Sequence, residues 1–318
     1  MSDFKKRDWK QDMLTGPVIE WLLDSDPAIR WQVMRDLLHE PEDRVAAVRS
    51  QVAVEGWGQQ ILARQSEEGH WWADADAWPL QNTLFALVLL KDMGLEPQCA
   101  ESGRAIALVR DQLIWEYHEG RAFFEGEVEA CINGRILAAG AYYGEISERL
   151  VQYLLDGQLS DGGWNCEAPP STRASFHSTI CVLEGLLEYE KAVGPDPAVA
   201  VARKRGEEYL LERGLFRSRS SGEVIEPRFT CLFYPPSYHY DILRGLEYFR
   251  EAGAEPDERM TEAVDLLIAK QGANGRWPLD RPRPDHIPFH MEDPSEKESR
   301  WNTLRALRVL EWWFASSR

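Results

Sequence analysis

The sequence predicts an all-α fold in which six helical hairpins close into an α6/α6 toroid around a central cavity. Helical periodicity covers almost the whole chain, whereas strand signals are weak. A seven-residue phrase, Q-x3-G-x-W, occurs three times, at 65–71, 158–164 and 271–277, and each copy follows an apolar pair. A phrase that returns with its flanks intact is typical of repeat architectures. The 318 residues divide into six hairpins of about 53 residues each, which suits two helices and their connections.

The repeated phrase has a structural interpretation in each copy. The glycine ends an outer helix, the tryptophan anchors the turn, and the glutamine side chain bonds backbone groups that the helix end leaves free. An acid or amide stands immediately before each glycine, as Glu68, Asp161 and Asn274. We therefore predict that these residues are scaffold and that the reactive groups lie elsewhere.

Amphipathic helices alternate along the chain with smoother, more apolar helices. The amphipathic helices have polar faces that suit solvent, and we assign them to the outer ring at 16–24, 56–65, 104–115, 147–158, 199–211 and 257–271. The apolar helices are expected to be buried in the inner ring at 27–38, 78–93, 129–143, 175–191, 238–252 and 300–314. Two long irregular stretches, 216–237 and the proline-rich 276–298, precede the last two inner helices, and loops of this length are often functional.

The composition indicates one cytoplasmic domain over residues 1–318, with residues 1–15 as a loosely ordered N-terminal tail. A hydrophobic content of 44% is enough for a sizeable core, and a formal net charge of −17 disfavours nucleic acid as a partner. The polar start is unlike a signal peptide, and no apolar run reaches the length of a membrane span. Five scattered cysteines without a CxxC pair indicate free thiols in a reduced compartment. The sequence leaves the oligomeric state and the need for a partner subunit open.

The first turns of the six inner helices carry most of the chemically versatile side chains. In a toroid of alternating hairpins these turns face the same end of the cavity, while the following turns are apolar. We therefore expect an apolar cavity with a polar, titratable mouth, which is the usual anatomy of a ligand pocket. The residues are Arg30, Trp31, Gln32, Gln81, Asn82, Glu129, Cys131, Asn133, His177, Ser178, Thr179, His239, Tyr240, Asp241, Trp301 and Asn302.

These positions provide candidate roles. Helix N-termini disfavour imidazolium, so His177 and His239 are expected to be neutral and to act as general bases or metal ligands. On a helix, Asp241 would diverge from His239, two residues earlier. The predicted catalytic residues are His177, His239, Tyr240 and Asp241. The predicted substrate-binding residues are Arg30, Trp31, Gln81, Asn82, Trp301 and Asn302, with His290 and Glu292 on the sixth long loop as a lid. For each residue the alternative role is capping or packing of a helix start.

The phrase Q-x3-G-x-W resembles the QW motif of squalene and hopene cyclases. Those enzymes belong to a larger group of α/α toroids that includes the β subunits of protein prenyltransferases, and the resemblance implies a toroid and an isoprenoid-like substrate. The cyclases protonate an alkene with the middle aspartate of an Asp-x-Asp-Asp motif. The nearest match here, Asp74-Ala-Asp76-Ala77, lacks the closing aspartate and precedes an inner helix rather than opening it. This departure disfavours the cyclase reaction.

A second local pattern resembles the zinc ligands of the prenyltransferase β subunits. Glu129-Ala-Cys131 opens one inner helix where that family has Asp-x-Cys, and Phe176-His177 opens the next, as at the family's zinc histidine. The resemblance implies zinc held by Glu129, Cys131 and His177, with Cys166 as a further candidate ligand. Carboxylate, thiolate and imidazole are ligands that zinc accepts. The alternative is a small buried cysteine and a hydrogen-bonded histidine.

These observations together predict an enzyme that acts on an apolar, isoprenoid-like or aromatic small molecule in the central cavity, with zinc as a candidate cofactor. Two alternatives stay open. One is a carbohydrate-active lyase or hydrolase, for which Glu129 and Asp241 are the candidate paired carboxylates. The other is a non-catalytic protein that holds a lipid or a peptide in the cavity.

Overall fold

The computed structural model describes residues 16–72, 78–280, 289, 291–292 and 297–315, and helices dominate it. One short antiparallel pair, β1 (Ile114–Trp115) and β2 (Arg121–Ala122), interrupts them. Within the described ranges no helix is long and apolar enough to span a bilayer. The helices are α1 (Pro17–Leu23), α2 (Pro27–Asp36), α3 (Glu42–Arg49), α4 (Gly56–Leu62), α5 (Pro79–Met93), α6 (Ala100–Gln112), α7 (Ala130–Tyr143), α8 (Glu148–Asp156), α9 (Phe176–Val193), α10 (Pro197–Leu211), α11 (Ile242–Glu251), α12 (Thr261–Ala269) and α13 (Arg300–Ala315).

The predicted helical class is confirmed, and every predicted helix has a counterpart in the structure. Two differences have local causes. Helix α3 was not predicted, because it is short and polar and buries only Val45, so it lacks an apolar period. Helix α11 begins at Ile242 rather than at 238, because the Asp241 side chain accepts the Arg244 backbone N–H and caps the helix there. His239 and Tyr240 therefore precede the helix, and their predicted position in its first turn is wrong.

The described residues fall into two compact units. The first unit takes its residues from Met1–Gly58, Gly214–Pro236 and Asp241–Arg318. The second unit takes its residues from Gln59–Arg213 and Ser237–Tyr240. Each unit has its own closely packed helices and its own group of candidate functional side chains.

In the first unit, a buried ion network joins α2, α11 and α13. Glu247 of α11 accepts hydrogen bonds from Arg305 and Arg308 of α13. Arg308 also donates to Gln32 and Asp36 of α2. Burial alone would raise the pKa of Glu247, but the charges of Arg305 and Arg308 more than offset it, so the pKa lies below its ordinary value. The network therefore keeps its carboxylate ionised and fixes the packing of three helices.

A single carboxylate also links two helix starts in the first unit. Asp26 caps α2 by accepting the backbone N–H of Ala28 at 2.9 Å. Its second oxygen accepts the backbone N–H of Trp57, at the start of α4, at 2.7 Å. Gly56 is required beside it, because φ is +67° and an added Cβ would lie 2.1 Å from the Asp26 carboxylate. The two helix starts thus share one capping group.

In the second unit, α7 and α9 lie in backbone contact. A Cβ added to Gly134 of α7 would lie 2.4 Å from the carbonyl oxygen of Cys181 in α9. A Cβ added to Gly185 of α9 would lie 2.3 Å from the Gly134 carbonyl oxygen. Because neither glycine has a side chain, the two helices approach closely along their length. This approach places the first turn of α7 beside the first turn of α9.

The repeated phrase forms the same hydrogen-bonded turn in all three copies. Each glutamine side chain donates to the carbonyl of the phrase's glycine, and each glycine has φ between +81° and +95°. Each indole N–H donates to a carbonyl ten residues earlier in the preceding helix, at 2.7–2.8 Å. Each tryptophan backbone N–H donates to a threonine hydroxyl at the start of the next long helix. The tryptophans are Trp71, Trp164 and Trp277, and all are fully buried. In each copy the glutamine and the tryptophan thus bond backbone groups of the turn, as predicted for them.

Candidate functional site

Two thiols and a carboxylate meet at the first turn of α7, in the second unit. Glu129 is the N-cap residue of α7, Cys131 lies in its first turn, and Cys166 comes from the turn before α9. The ligand atoms of the three side chains all lie within 4.8 Å of one another. The Cys131 thiol donates to a Glu129 carboxylate oxygen at 3.7 Å. We call these three residues the dithiol cluster.

Hydrogen-bond donors converge on the Cys166 sulfur. It accepts the backbone N–H of Cys131 at 3.2 Å and the hydroxyl of Ser178 at 3.2 Å. The neighbouring Cys131 side chain lowers the pKa of Cys166 most, and burial opposes that shift. The neighbouring Cys166 side chain, together with burial, raises the pKa of Cys131. These contacts and the N-terminus of α7 therefore favour negative charge on Cys166 over negative charge on Cys131.

The donor set of the dithiol cluster suits a soft or borderline divalent cation. Two thiolates and a carboxylate are ligands that zinc accepts, and three protein ligands leave one position open. Among the described residues, His177 is not part of this group. The structure thus brings together Glu129, Cys131 and Cys166 of the predicted metal ligands and places His177 in other contacts.

His177 and His239 form a pair in the second unit. The backbone N–H of Tyr240 donates to Nδ1 of His177 at 2.9 Å. The two imidazole rings meet edge to face, with centroids 5.8 Å apart. Tyr240 is buried and packs its ring against Phe176 at 4.9 Å, whereas His239 is exposed. Three of the four predicted catalytic residues, His177, His239 and Tyr240, therefore lie together. His239 and Tyr240 belong to a segment of irregular backbone that contacts His177.

A buried arginine that the sequence analysis missed holds the same segment. Arg135, in the middle of α7, is 3% exposed and donates to the backbone carbonyl of Ser237. Its guanidinium lies 4.9 Å from the centre of the Tyr238 ring, a cation–π distance. An arginine inside an otherwise apolar helix was the signal that could have identified it. Arg135 fixes the position of the residues that contact His177.

Asp241, the fourth predicted catalytic residue, belongs to the first unit and is fully buried. One carboxyl oxygen accepts the Arg244 backbone N–H at 2.8 Å. The other, Oδ2, is buried and has no hydrogen-bond partner among the described residues. Burial raises the pKa of Asp241 above its ordinary value, although the charge of Arg305 and the bond from Arg244 oppose it. Burial thus favours the protonated form of the Asp241 carboxyl group, against the effect of Arg305 and Arg244.

Aromatic rings lie in the same unit, around Arg305. Tyr234 and Trp301 stack with ring centroids 4.3 Å apart at 14°. The Arg305 guanidinium lies 5.7 Å from the centre of the Tyr234 ring, and its charge also acts on Asp241. Trp301 is 2% exposed, and its indole N–H has no partner among the described residues. Tyr234 was not predicted, because it lies in the irregular stretch before α11.

The asparagines predicted to bind substrate donate to backbone carbonyls. Asn82 donates to the carbonyl of Trp72 at 3.3 Å, and Asn302 donates to that of Pro278 at 2.9 Å. The Asn302 side-chain oxygen also accepts a hydrogen bond from Arg305. Both amides therefore tie a helix start to the turn that precedes it.

The other predicted residues of the early helices lie in varied surroundings. Arg30 donates to the Gln51 side chain at 2.6 Å. Trp31 is buried beneath two guanidinium groups, those of Arg35 and Arg49. Gln81 is half-buried in the first turn of α5. Residues 74–77, the nearest match to the cyclase motif, lie outside the described residues.

Glu292, predicted as part of a lid, caps α13. Its carboxylate accepts the backbone N–H groups of Arg300 and Trp301, at 3.0 and 3.1 Å, and the Ser299 hydroxyl at 2.7 Å. Burial raises its pKa, against the effect of these hydrogen bonds. His290, the other predicted lid residue, lies outside the described residues. The contacts of Glu292 are those of a helix cap.

Comparisons with known proteins bear on the fold. No protein-family model and no curated protein matches the chain. Among solved structures, the chain is similar to a variant of the type II terpene cyclase MstE from Scytonema in complex with its product, merosterolic acid A. The TM-score is 0.51, the identity is 15%, and the match covers 99% of this chain and 100% of that one. The chain shares the fold of MstE.

Two further structures give weaker matches. Another MstE variant, in complex with the substrate geranylgeranyl dihydroxybenzoate, gives a TM-score of 0.48 at 15% identity over 99% of this chain and 100% of that one. A protein from Actinoplanes gives a TM-score of 0.44 at 16% identity over 91% and 90% of the two chains. At these identities, a structural likeness describes fold and not activity.

Proposed function

We propose that the chain is a terpenoid cyclase-like enzyme that acts on an apolar, isoprenoid-like small molecule. The observation that carries this proposal is Asp241, a fully buried carboxyl group with a raised pKa and one oxygen that bonds nothing among the described residues. The fold shared with MstE, a type II terpene cyclase, supports it. Such a carboxyl group is a competent general acid for an apolar substrate.

The proposed chemistry begins with a proton. Asp241 Oδ2 transfers its proton to one carbon of an alkene, a C–H bond forms, and the neighbouring carbon becomes a carbocation. A second alkene of the same substrate attacks that cation and closes a ring, and the new cation that results loses a proton to a base, so that an alkene forms again. The Asp241 carboxylate left behind is stabilised by the charge of Arg305 and by the Arg244 N–H. The faces of Tyr234 and Trp301 would stabilise positive charge on the substrate.

The closed ring of six hairpins with a central cavity is part of this proposal. Three identical turns, each anchored by a buried tryptophan, support a repeat architecture. An enclosed cavity would exclude water from the cation and so prevent its premature capture. The predicted roles of His177, His239 and Tyr240 also remain proposals, as groups that contact the substrate or remove its final proton.

Zinc-assisted chemistry at the dithiol cluster is the second candidate function. The favouring observation is the approach of Glu129, Cys131 and Cys166 to within 4.8 Å. These three side chains would hold the ion and leave one position open to a substrate. When bound, zinc supplies a Lewis acid or activates a coordinated nucleophile. Cys166, already the acceptor of several hydrogen bonds, would bind it as a thiolate.

The test uses the purified chain and two defined probes, geranylgeranyl dihydroxybenzoate and geranylgeranyl diphosphate. Cyclisation gives a product with the mass of the substrate but fewer alkene signals, which mass spectrometry and NMR detect together. Transfer of the geranylgeranyl group to an added acceptor would instead support the zinc-assisted reaction. Tight binding of either probe without any product would favour the non-catalytic alternative. Turnover of polysaccharides, with neither probe bound, would contradict the proposal.

A further inference from the structure

We propose that Cys131 and Cys166 form a reversible dithiol–disulfide pair, and that peroxide oxidises Cys166 first. The inference is independent of the cyclase proposal, because Asp241 and the aromatic rings of the first unit take no part in it. It rests on the position of two sulfurs, on the donors around one of them and on their access to solvent.

The geometry of the pair is close to that of a disulfide precursor. The two sulfurs lie within 4.8 Å of each other, and the Cys166 sulfur lies 3.2 Å from the Cys131 backbone nitrogen. A disulfide needs a sulfur–sulfur bond of about 2 Å, so the proposal requires the two side chains to rotate towards each other. Both cysteines are partly exposed, whereas Cys181 in α9 is buried. A small oxidant can therefore reach the pair.

The surroundings distinguish the two sulfurs. Cys166 accepts hydrogen bonds from the Ser178 hydroxyl and from an N–H in the first turn of α7, so two donors converge on its sulfur. Cys131 instead donates towards a Glu129 carboxylate oxygen at 3.7 Å. Glu129 is exposed and can pass a proton on to solvent. Cys166 is thus placed to react first and Cys131 to resolve the product.

The chemistry balances with hydrogen peroxide as the named oxidant. The Cys166 thiolate attacks one peroxide oxygen, the O–O bond breaks, and a sulfenic acid and hydroxide form. The Cys131 sulfur then attacks the Cys166 sulfur, and the sulfur–oxygen bond breaks. The Cys131 proton passes to Glu129 and then to solvent, and the departing hydroxide becomes water. Overall, two thiols and one peroxide give one disulfide and two waters.

The experiment treats the full chain with one equivalent of hydrogen peroxide, after a chelator has removed metal ions that could mask thiols. The number of free thiols should fall from five to three, with a mass loss of about 2 Da. Peptide mapping should find the disulfide between Cys131 and Cys166, and dithiothreitol should restore all five thiols. This measurement needs no variant, so a failure to fold cannot obscure it.

Variants then assign the order of reaction. Cys131→Ser should retain a sulfenic acid on Cys166, which dimedone traps, while Cys166→Ser should give neither adduct nor disulfide. Cys231→Ser is the matched control, because Cys231 is equally accessible and lies outside the cluster, and it should form the disulfide as the wild type does. Five thiols left intact by peroxide, a disulfide between other cysteines, or dimedone on Cys231 instead of Cys166 would each overturn the inference.

Discussion

The Tyr240 backbone N–H donates a hydrogen bond to Nδ1 of His177 over 2.9 Å. A ring nitrogen that accepts a hydrogen bond uses its lone pair for that bond. The Nδ1 lone pair is therefore already engaged by the backbone. Among the described residues, His177 is not one of the ligand groups of the dithiol cluster.

The metal content of cysteine and histidine variants tests the zinc candidate. Protein purified without a metal-affinity tag is expected to contain about one zinc per chain by elemental analysis. Cys131→Ala and Cys166→Ala should reduce that content to background, because each removes a thiolate ligand. His177→Ala should leave it unchanged, because His177 contacts Tyr240 instead. Zinc lost in His177→Ala but retained in Cys166→Ala would contradict the assignment of ligands.

Asp241→Asn tests the proposed acid. Asparagine keeps an oxygen that can accept the Arg244 N–H, so the cap on α11 persists while the acidic proton is lost. Turnover should fall about 10²- to 10⁴-fold, the usual contribution of a general acid. Thermal unfolding should be nearly unchanged. If the variant instead lost much stability while its turnover stayed at the wild-type rate, Asp241 would have a packing role alone.

The pH dependence of turnover provides a second test of Asp241. Only the protonated form can act as an acid, and burial raises its pKa above the ordinary value. Activity should therefore persist at pH values where a free aspartate is ionised, and should fall as pH rises through the raised pKa. The free energy of unfolding should change with pH in the same direction. The contribution of Asp241 is complete below the ordinary pKa of aspartate and is lost as pH rises through the raised pKa. Profiles of initial rate and of unfolding against pH measure both effects.

Most of the helices could be predicted because their signals are local. The glycine, glutamine and tryptophan of each repeated phrase bond groups within one turn, so their spacing alone indicates where helices end. The start of α11 could not be predicted from periodicity, because a side-chain cap at Asp241 overrides the apolar pattern that extends back to 238. Helix α3 could not be predicted from periodicity because it has almost no apolar face, although two acidic residues stand in its first turn.

The candidate site was less predictable because it depends on distant contacts. Cys166 approaches Cys131 because the backbones of α7 and α9 are in contact. In the sequence this contact corresponds only to two glycines, Gly134 and Gly185, whose spacing does not predict it. The partner of His177 lies in irregular backbone 63 residues away, so no periodicity could identify it. Tyr234 likewise lies in an irregular stretch. The residue types can be read from the sequence, but which of them are neighbours depends on how the helices pack.

Asp26 gives the protein a pH-dependent stability. Burial raises the pKa of Asp26 from 3.8 to about 6, despite hydrogen bonds from two backbone N–H groups. Its contribution to stability is therefore complete below about pH 4 and is lost as pH rises through about 6. A shift of this size corresponds to about 3 kcal/mol in the free energy of unfolding. Chemical denaturation between pH 4 and pH 7 measures this loss.

Asp26→Asn isolates that contribution from those of other groups. The amide cannot ionise, so the difference in unfolding free energy between pH 4 and pH 7 should shrink by about 2.4 kcal/mol relative to the wild type. The variant should lose the bond to the Trp57 N–H, which costs about 1 kcal/mol at low pH. Parallel stability curves for the two proteins would show that Asp26 does not titrate in this range.

A pair of glycine variants tests the repeated turn. Gly162 and Gly144 both have positive φ, +95° and +86°, but an added Cβ at Gly162 would lie 2.5 Å from the Arg205 carbonyl oxygen, whereas Gly144 has open space. Gly144→Ala should cost about 1 kcal/mol for backbone strain alone. Gly162→Ala should cost about 2 kcal/mol more, because the backbone must also move. Equal losses of unfolding free energy in the two variants, measured with denaturant, would mean that the backbone around Gly162 can move without further cost. Neither variant should alter the chemistry at Asp241 or at the dithiol cluster.

The indole bonds of Trp71, Trp164 and Trp277 each span ten residues, from the last turns of one helix to the end of the phrase. Each bond therefore closes a loop that has the same number of residues in all three copies. Inserting one residue into such a loop would pull the indole away from its carbonyl and from the threonine that holds its backbone. Insertions and deletions in natural variants of this chain should therefore avoid these three windows. They should accumulate instead in exposed stretches such as the turn at 218–223.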